Sequence, residues 1–261
     1  MSETFSARYG RWAIVAGASE GLGAAFAEGL AKRGLNLLLL ARRTELLDAL
    51  AAKLGASGGV EVRTTACDLA DPNLDAQLAS LTGTLEVGLV VYNAAYAPVG
   101  PFLEQSPEAL LRVVDVNIRG PLLFARRFAP AMVERQRGGL VFMSSMAGFQ
   151  GAPRIATYAA SKAFNTVLGE GLWAELAPKG VHVLVPCAGA VRTPNYLKSS
   201  PSEAPGTLDA SQVVEQSLDA LGQGPTLVPG LTNRLGRFVL GRLLSRRSAI
   251  SLMGKNTKDL V

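Results

Sequence analysis

The chain has 261 residues, 48% of them apolar and 18% charged, with a formal net charge of +5. That length and apolar content suit one large α/β domain spanning residues 1–261, and no apolar run reaches the ~18 residues a membrane span needs. The positive charge is local: residues 231–261 hold seven Lys/Arg and one acid, leaving the other 230 residues at −1, which excludes a general nucleic-acid surface.

The N-terminus carries no apolar signal core, and Cys67 and Cys187 show no metal spacing, so no metal is expected and a reducing cytoplasm is. Residues 11–16 form a short apolar run, followed by the turn Gly17-Ala-Ser-Glu-Gly-Leu-Gly23 and a helical composition over 24–33. The pattern predicts strands at 36–41, 60–67, 87–92, 140–143, 181–185 and 226–228. Helices are predicted at 44–54, capped by Thr44, and at 72–81, 107–132, 157–177 and 211–221. Near-continuous apolar strands alternating with helices predict a Rossmann-type, doubly wound, seven-stranded parallel sheet with helices on both faces. Residues 189–209, rich in Pro and Ser, suit a substrate lid. Residues 231–261 form a basic extension.

Glycines 17, 21 and 23 fall where the first strand feeds the first helix. Backbone N–H groups and the positive helix end can hold a pyrophosphate there, and residues without Cβ let it come close. Ser19, Glu20 and Leu22 share the turn, and Glu20 is an acid beside the same phosphate. A carboxylate ending the second strand would bind the ribose hydroxyls of NAD. Ala41 stands there instead, followed by Arg42 and Arg43. No carboxylate repels a 2′-phosphate and a guanidinium is placed to bind one, which favours NADP(H) over NAD(H). The alternative is a solvated arginine pair at a helix start.

Tyr158 and Lys162, four residues apart on the 157–177 helix, project from one face. A phenol titrates near ~10 and handles protons poorly at neutral pH unless a neighbouring ammonium stabilises its phenolate. Ser145 follows the apolar run 140–143 and offers a hydroxyl to the oxygen whose proton the tyrosine moves. The chemistry that fits is alcohol/ketone proton transfer coupled to redox. Taken alone, the same residues also read as an ordinary helix pair and a turn serine.

In order and spacing, Gly17-x-x-x-Gly21-x-Gly23, Asp68, Asn93-Ala94-Ala95, Asn117, Ser145, Tyr158-x-x-x-Lys162 and Gly189-x-Val191-x-Thr193 resemble the short-chain dehydrogenase/reductase family. The resemblance runs from Arg11 to about Pro229. It implies that Tyr158 is the proton donor or acceptor and that Ser145 positions the reacting oxygen. Lys162 would bind the nicotinamide ribose and lower the tyrosine pKa, and Asn117 would hold a water linking Lys162 to solvent. Asp68, with Leu69, would meet the adenine edge, while Asn93, Ala94 and Ala95 lie by the adenosine ribose. Val191 and Thr193 would hold the carboxamide. Hydride transfer from the B face and a homo-oligomer, dimer or tetramer, are also implied. The sequence adds a reason of its own: Pro121 has no N–H, so the Asn117 carbonyl loses its helical partner and the helix should bend there.

Three positions depart from the family pattern: Ala16 for Thr, Ala95 for Gly, and Ala188 for Pro, with Pro186 nearby. His182 reads as a surface-facing strand residue, Cys187 as an unactivated thiol, and Trp173 as packing. In the tail, Leu231, Leu235, Phe238 and Val239 make a helical stripe that Gly241 and Arg242 interrupt. It suits either a membrane surface or a segment folded over the active-site entrance or a partner subunit. The expected activity is interconversion of a ketone and a secondary alcohol with NADP(H). Ala95, Tyr96, Met146, Phe149, Gln150 and the 189–209 loop are the expected pocket walls. They show no cationic anchor, which points to a hydrophobic or aromatic small-molecule substrate. A lipid- or steroid-type carbonyl reductase at a membrane and a non-catalytic NADP-binding regulator are the competing readings.

Overall fold

The computed structural model describes residues 4–56, 59–83, 85–199 and 203–258. Seven parallel strands form the central sheet: β1 Trp12–Ala16, β2 Asn36–Ala41, β3 Val62–Ala66, β4 Val87–Tyr92, β5 Gly138–Phe142, β6 Val181–Ala188 and β7 Thr226–Leu227. Their spatial order is β7-β6-β5-β4-β1-β2-β3. A two-residue extension, Ser144–Ser145, pairs with Cys187 and Ala188 beyond the end of β5. The expected sheet is thus present, strand for strand. The chain winds from β1 outward through β2 to β3, and β4 then pairs on the other side of β1. That reversal opens a crevice at the carboxyl ends of β1 and β4, where such sheets bind ligands.

Eleven helices are described: α1 Phe5–Tyr9, α2 Gly21–Lys32, α3 Thr44–Ala56, α4 Leu74–Thr82, α5 Pro107–Val114, α6 Gly120–Glu134, α7 Ala156–Leu176, α8 Pro194–Ser199, α9 Ala210–Ala220, α10 Leu231–Phe238 and α11 Arg246–Thr257. Strand alternation divides the core in two. Ala13, Val15, Leu37, Leu39, Leu89 and Val91 pack on α2, α3 and α9 through Phe26, Leu30, Leu47 and Val213. Ile14, Leu38, Leu40, Val90 and Tyr92 pack on α4 and α6 through Leu74, Leu78, Phe124 and Phe128. Both faces of the strands are buried, which is why they read as unbroken apolar runs.

The helix expected over 107–132 is interrupted by a π-turn, Asp115–Arg119. The Gly120 N–H reaches back to the Asp115 carbonyl, so the Val116 carbonyl is released from its usual partner. The Tyr92 hydroxyl donates to that carbonyl at 2.6 Å. A Cβ on Gly120 would occupy the tyrosine's hydroxyl position. Pro121, with no N–H to offer, follows at the start of α6. The expected irregularity takes the form of this π-turn, with Asn117 at its centre and fully buried.

Helices α1, α8, α10 and α11 lie outside the expected set. Helix α1 docks on the sheet where His182 meets it: the Arg8 guanidinium donates to Nε2 at 3.0 Å, and Tyr9 Oη contacts Nδ1 at 2.8 Å. His182 is thus engaged rather than surface-facing. The tail folds back as α10, a π-turn Val239–Leu243, and α11. Thr257 donates to the Pro153 carbonyl at 2.8 Å, and buried Asn233 donates to the carbonyls of Gly206 and Pro229, both at 3.0 Å. The tail thus packs on its own chain, against Pro153, Gly206 and Pro229. No helix among the described residues is long and apolar enough to cross a membrane.

Candidate active site

At the switch point lies a cleft of about 550 Å³. Gly17 has φ +81 and a Cβ there would fall 2.7 Å from the Cα of Ala94; at Gly21, with φ +58, it would fall 2.9 Å from the Thr193 methyl. Both positions need glycine for conformation and for space. Helix α2 begins at Gly21 without a side-chain cap from Glu20, so its first N–H groups are left for a ligand. Gly23 has a different task from the one expected. A Cβ there would overlap the Gly17 carbonyl, so this residue lets α2 close on the turn rather than face the cleft. These cradles fit a dinucleotide pyrophosphate.

Ser19, Glu20, Leu22, Arg42, Arg43, Asp68, Leu69, Asn93, Ala94, Ala95 and Thr193 line the cleft. Arg43 is engaged at the rim, 2.7 Å from the Glu20 carboxylate and 3.0 Å from Ser19 Oγ. Arg42 is exposed beside it. The Asn93 side chain donates to the Gly17 carbonyl at 3.0 Å and ties the end of β4 to the turn. Asp68 accepts from Arg112 at 2.8 and 2.9 Å and from the Ala70 N–H at 3.0 Å. Burial opposes the charge on Asp68, but Arg112, the Ala70 N–H and Arg42 together hold its carboxyl below the usual range.

At the other end, Tyr158 lines the cleft. Ser145 stands near Tyr158, close enough to favour its phenolate. Ser145 Oγ also accepts the Ala147 N–H at 3.2 Å, which fixes its rotamer at the head of the Met146–Phe149 turn. Lys162 is 3% exposed. Its ammonium donates to the Met143 carbonyl at 2.8 Å and lies 5.6 Å from the centroid of the Tyr158 ring. Burial pulls Lys162 down to about 8. Burial also raises the Tyr158 phenol, and nearby Ser145 only partly offsets it. This direction runs against the expected acidification by Lys162: the ammonium addresses the Met143 carbonyl, and withdrawal of the phenol from water dominates.

The Asn117 side chain accepts the Tyr96 N–H at 2.8 Å and donates to the Tyr96 carbonyl and to Ser161 Oγ, both at 2.9 Å. It therefore clamps the loop after β4 against α7. Val191 is 7% exposed and packs in the core, so only its backbone is placed to meet a ligand. Of the expected 189–209 loop, Val191–Arg192 pairs with Leu208–Asp209 and Pro194–Ser199 forms α8, while residues 200–202 lie outside the described residues.

Three contributors went unread in the sequence. Arg112 from α5 lines the cleft and holds Asp68, with its guanidinium 5.8 Å from the Tyr96 ring centroid. Asn195, at the start of α8, lines the same wall. Met253 from α11 packs on a cluster of Ala147, Ala152 and Ala159 that includes Tyr158. Each is far in sequence from the motifs it joins, and an alternating or helical pattern carries no signal of such a meeting. Among the described residues no cluster suits a metal ion.

The short chain dehydrogenase family model matches residues 11–204. A 7beta-hydroxysteroid dehydrogenase from Clostridium sardiniense is 32% identical over 254 residues, covering 96% of this chain and 97% of its own. Among solved structures, one from a study of 7beta-hydroxysteroid dehydrogenase stereoselectivity superposes with a TM-score of 0.91 at 26% identity, covering 96% of this chain and 99% of the other. A short-chain dehydrogenase from Sphingobium yanoikuyae in complex with NADPH gives 0.80 at 30% identity, covering 92% and 95%. With fold, cleft and motifs in agreement, the chain belongs to the short-chain dehydrogenase/reductase family. It is an oxidoreductase that acts on CH–OH groups with a nicotinamide cofactor.

Proposed function

We propose that the enzyme interconverts a bulky hydrophobic ketone and its secondary alcohol with NADP(H), Tyr158 carrying the proton. The observation that bears most weight is Tyr158, with Ser145 and Lys162 beside it, on the wall of a cleft whose far end is the Gly17–Gly21 cradle. The cofactor, when bound, supplies or accepts the hydride. In the reducing direction Ser145 and Tyr158 hold the carbonyl oxygen, and Tyr158 gives that oxygen its proton. In the oxidising direction the phenol oxygen takes the alcohol proton. Lys162, buried behind the tyrosine, positions the cofactor ribose. Asn117 keeps Tyr96, one of the expected pocket walls, in place.

NADP(H) preference is supported by Ala41 at the end of β2 and by Arg42 and Arg43 on the cleft rim. The similarity to a hydroxysteroid dehydrogenase along almost its whole length supports a bulky, largely apolar substrate. Exposed Leu111, Leu122 and Val167 on α5, α6 and α7 support assembly through those helices as a homo-oligomer. The gathering of Ser145, Tyr158 and Lys162 at the cleft favours turnover over a purely regulatory role. A cofactor-depletion screen with NADPH and NADH in parallel against bulky ketones tests the reading. Faster loss of NADPH is the expected result; loss of NADH alone, or of neither, would refute it.

A further inference from the structure

The expected pocket walls contain no cation, but the folded tail brings one to them. Arg237, on α10, stacks its guanidinium 3.7 Å from the centroid of the Phe149 ring. On its other side stands Gly241, where a Cβ would overlap the guanidinium, so the π-turn Val239–Leu243 leaves a slot that Arg237 fills. A second guanidinium, that of exposed Arg246, donates to the carbonyl of the same Phe149 at 2.8 Å. The turn Met146–Phe149 that carries this ring starts directly after Ser145. Met146 itself reaches toward Gly236, where a Cβ would lie 3.8 Å from its Cε.

Among the described residues no carboxylate pairs with Arg237, which is partly buried. Its charge reaches inward as well: burial chiefly raises the Cys187 thiol at the end of β6, and Arg237 is among the groups acting against that rise. A guanidinium held flat on a ring keeps its edge N–H groups available, and an oxyanion binds such an edge in two parallel hydrogen bonds.

We propose that Arg237, steadied on Phe149 with Arg246 beside it, anchors an anionic group at the far end of the substrate. The enzyme then prefers bulky ketones bearing a carboxylate remote from the reacting carbonyl. This rests on the reductase reading above and names its substrate class more narrowly.

The test compares a bulky alicyclic ketone carrying a side-chain carboxylate with its methyl ester, using the full chain and NADPH. The wild type should show the higher kcat/KM for the acid, and added salt should erode that advantage. Arg237→Gln should lower kcat/KM for the acid about tenfold, mostly through KM, and leave the ester within about twofold. Arg246→Gln should act in the same sense but less. Equal losses on acid and ester, with or without a drop in melting temperature, would overturn the anchor, as would no loss on either. Failure of the underlying reading looks different: the wild type would then consume no NADPH with acid, ester or any neutral ketone, and the anchor would fall with it.

Discussion

Lys162 stands one helical turn beyond Tyr158, yet its ammonium donates to the Met143 carbonyl and lies 5.6 Å from the tyrosine ring centroid. The phenol is withdrawn from water, which raises its pKa, and nearby Ser145 only partly offsets this. A raised phenol keeps its proton at neutral pH, the form that reduction requires. Reductive kcat/KM should therefore stay level through neutral pH and fall only in alkali. Oxidation of the alcohol needs the deprotonated oxygen and should accelerate as pH rises. Rate profiles measured in both directions check this; a reductive rate that already falls between pH 6 and pH 8, by about tenfold for each unit, would contradict it.

Lys162 is itself out of its ordinary range. A lysine harder to protonate in the folded state opposes folding wherever the unfolded lysine is charged. With a folded value of about 8 against an ordinary 10.5, the penalty is complete below about 8 and vanishes as pH rises past 10.5. The penalty is on the order of 3 kcal/mol, and removing the donor to Met143 costs about 1 kcal/mol. Lys162→Met should therefore be about 2 kcal/mol more stable than the wild type at pH 7, with the gap closing toward pH 10.5, while activity is lost. Chemical denaturation of both proteins across that range measures it.

At the cofactor rim, Glu20 competes for the cation expected to meet a 2′-phosphate. Arg43 is paired with it at 2.7 Å. Glu20→Gln should release Arg43 and lower KM for NADPH a few-fold, with little change for NADH. Arg42→Ala and Arg43→Ala should each raise KM for NADPH about tenfold, the size of one charge-assisted contact. Steady-state kinetics with both cofactors decide between this arrangement and a merely solvated arginine pair.

Much of this was legible in the sequence, for physical reasons. Strands buried on both faces have to be apolar throughout, so 36–41 and 87–92 announce themselves. Gly17 and Gly21 are demanded by positive φ and by close backbone approach, and such demands leave a fixed spacing. The Tyr158–Lys162 spacing follows from helix geometry. What stayed hidden was tertiary. Arg112 meets Asp68 across 44 residues. Arg237 reaches Phe149 from a tail whose apolar stripe is broken at Gly241, and the break is itself the slot that seats the arginine. The acidity of Tyr158 was misjudged because spacing places two side chains on one face without saying which acceptor the ammonium chooses.

Helix α1 depends on a glycine in the middle of β4. A Cβ at Gly88 would overlap the carbonyl of Tyr9, a backbone atom with no rotamer to yield. Gly88→Ala should cost about 1–3 kcal/mol, the range for overpacking a filled site. It should also loosen α1 from His182, seen as faster amide exchange over residues 5–9. An unchanged melting temperature would show that the helix adjusts freely.

The central claim is that the Tyr158 hydroxyl carries the proton that accompanies hydride transfer. Tyr158→Phe keeps the ring, the fold and the cofactor cradle and removes that hydroxyl alone. Consumption of NADPH with a ketone turned over by the wild type should fall at least about a thousandfold in this variant, with NADPH binding intact. Turnover within about tenfold of the wild type would contradict the account.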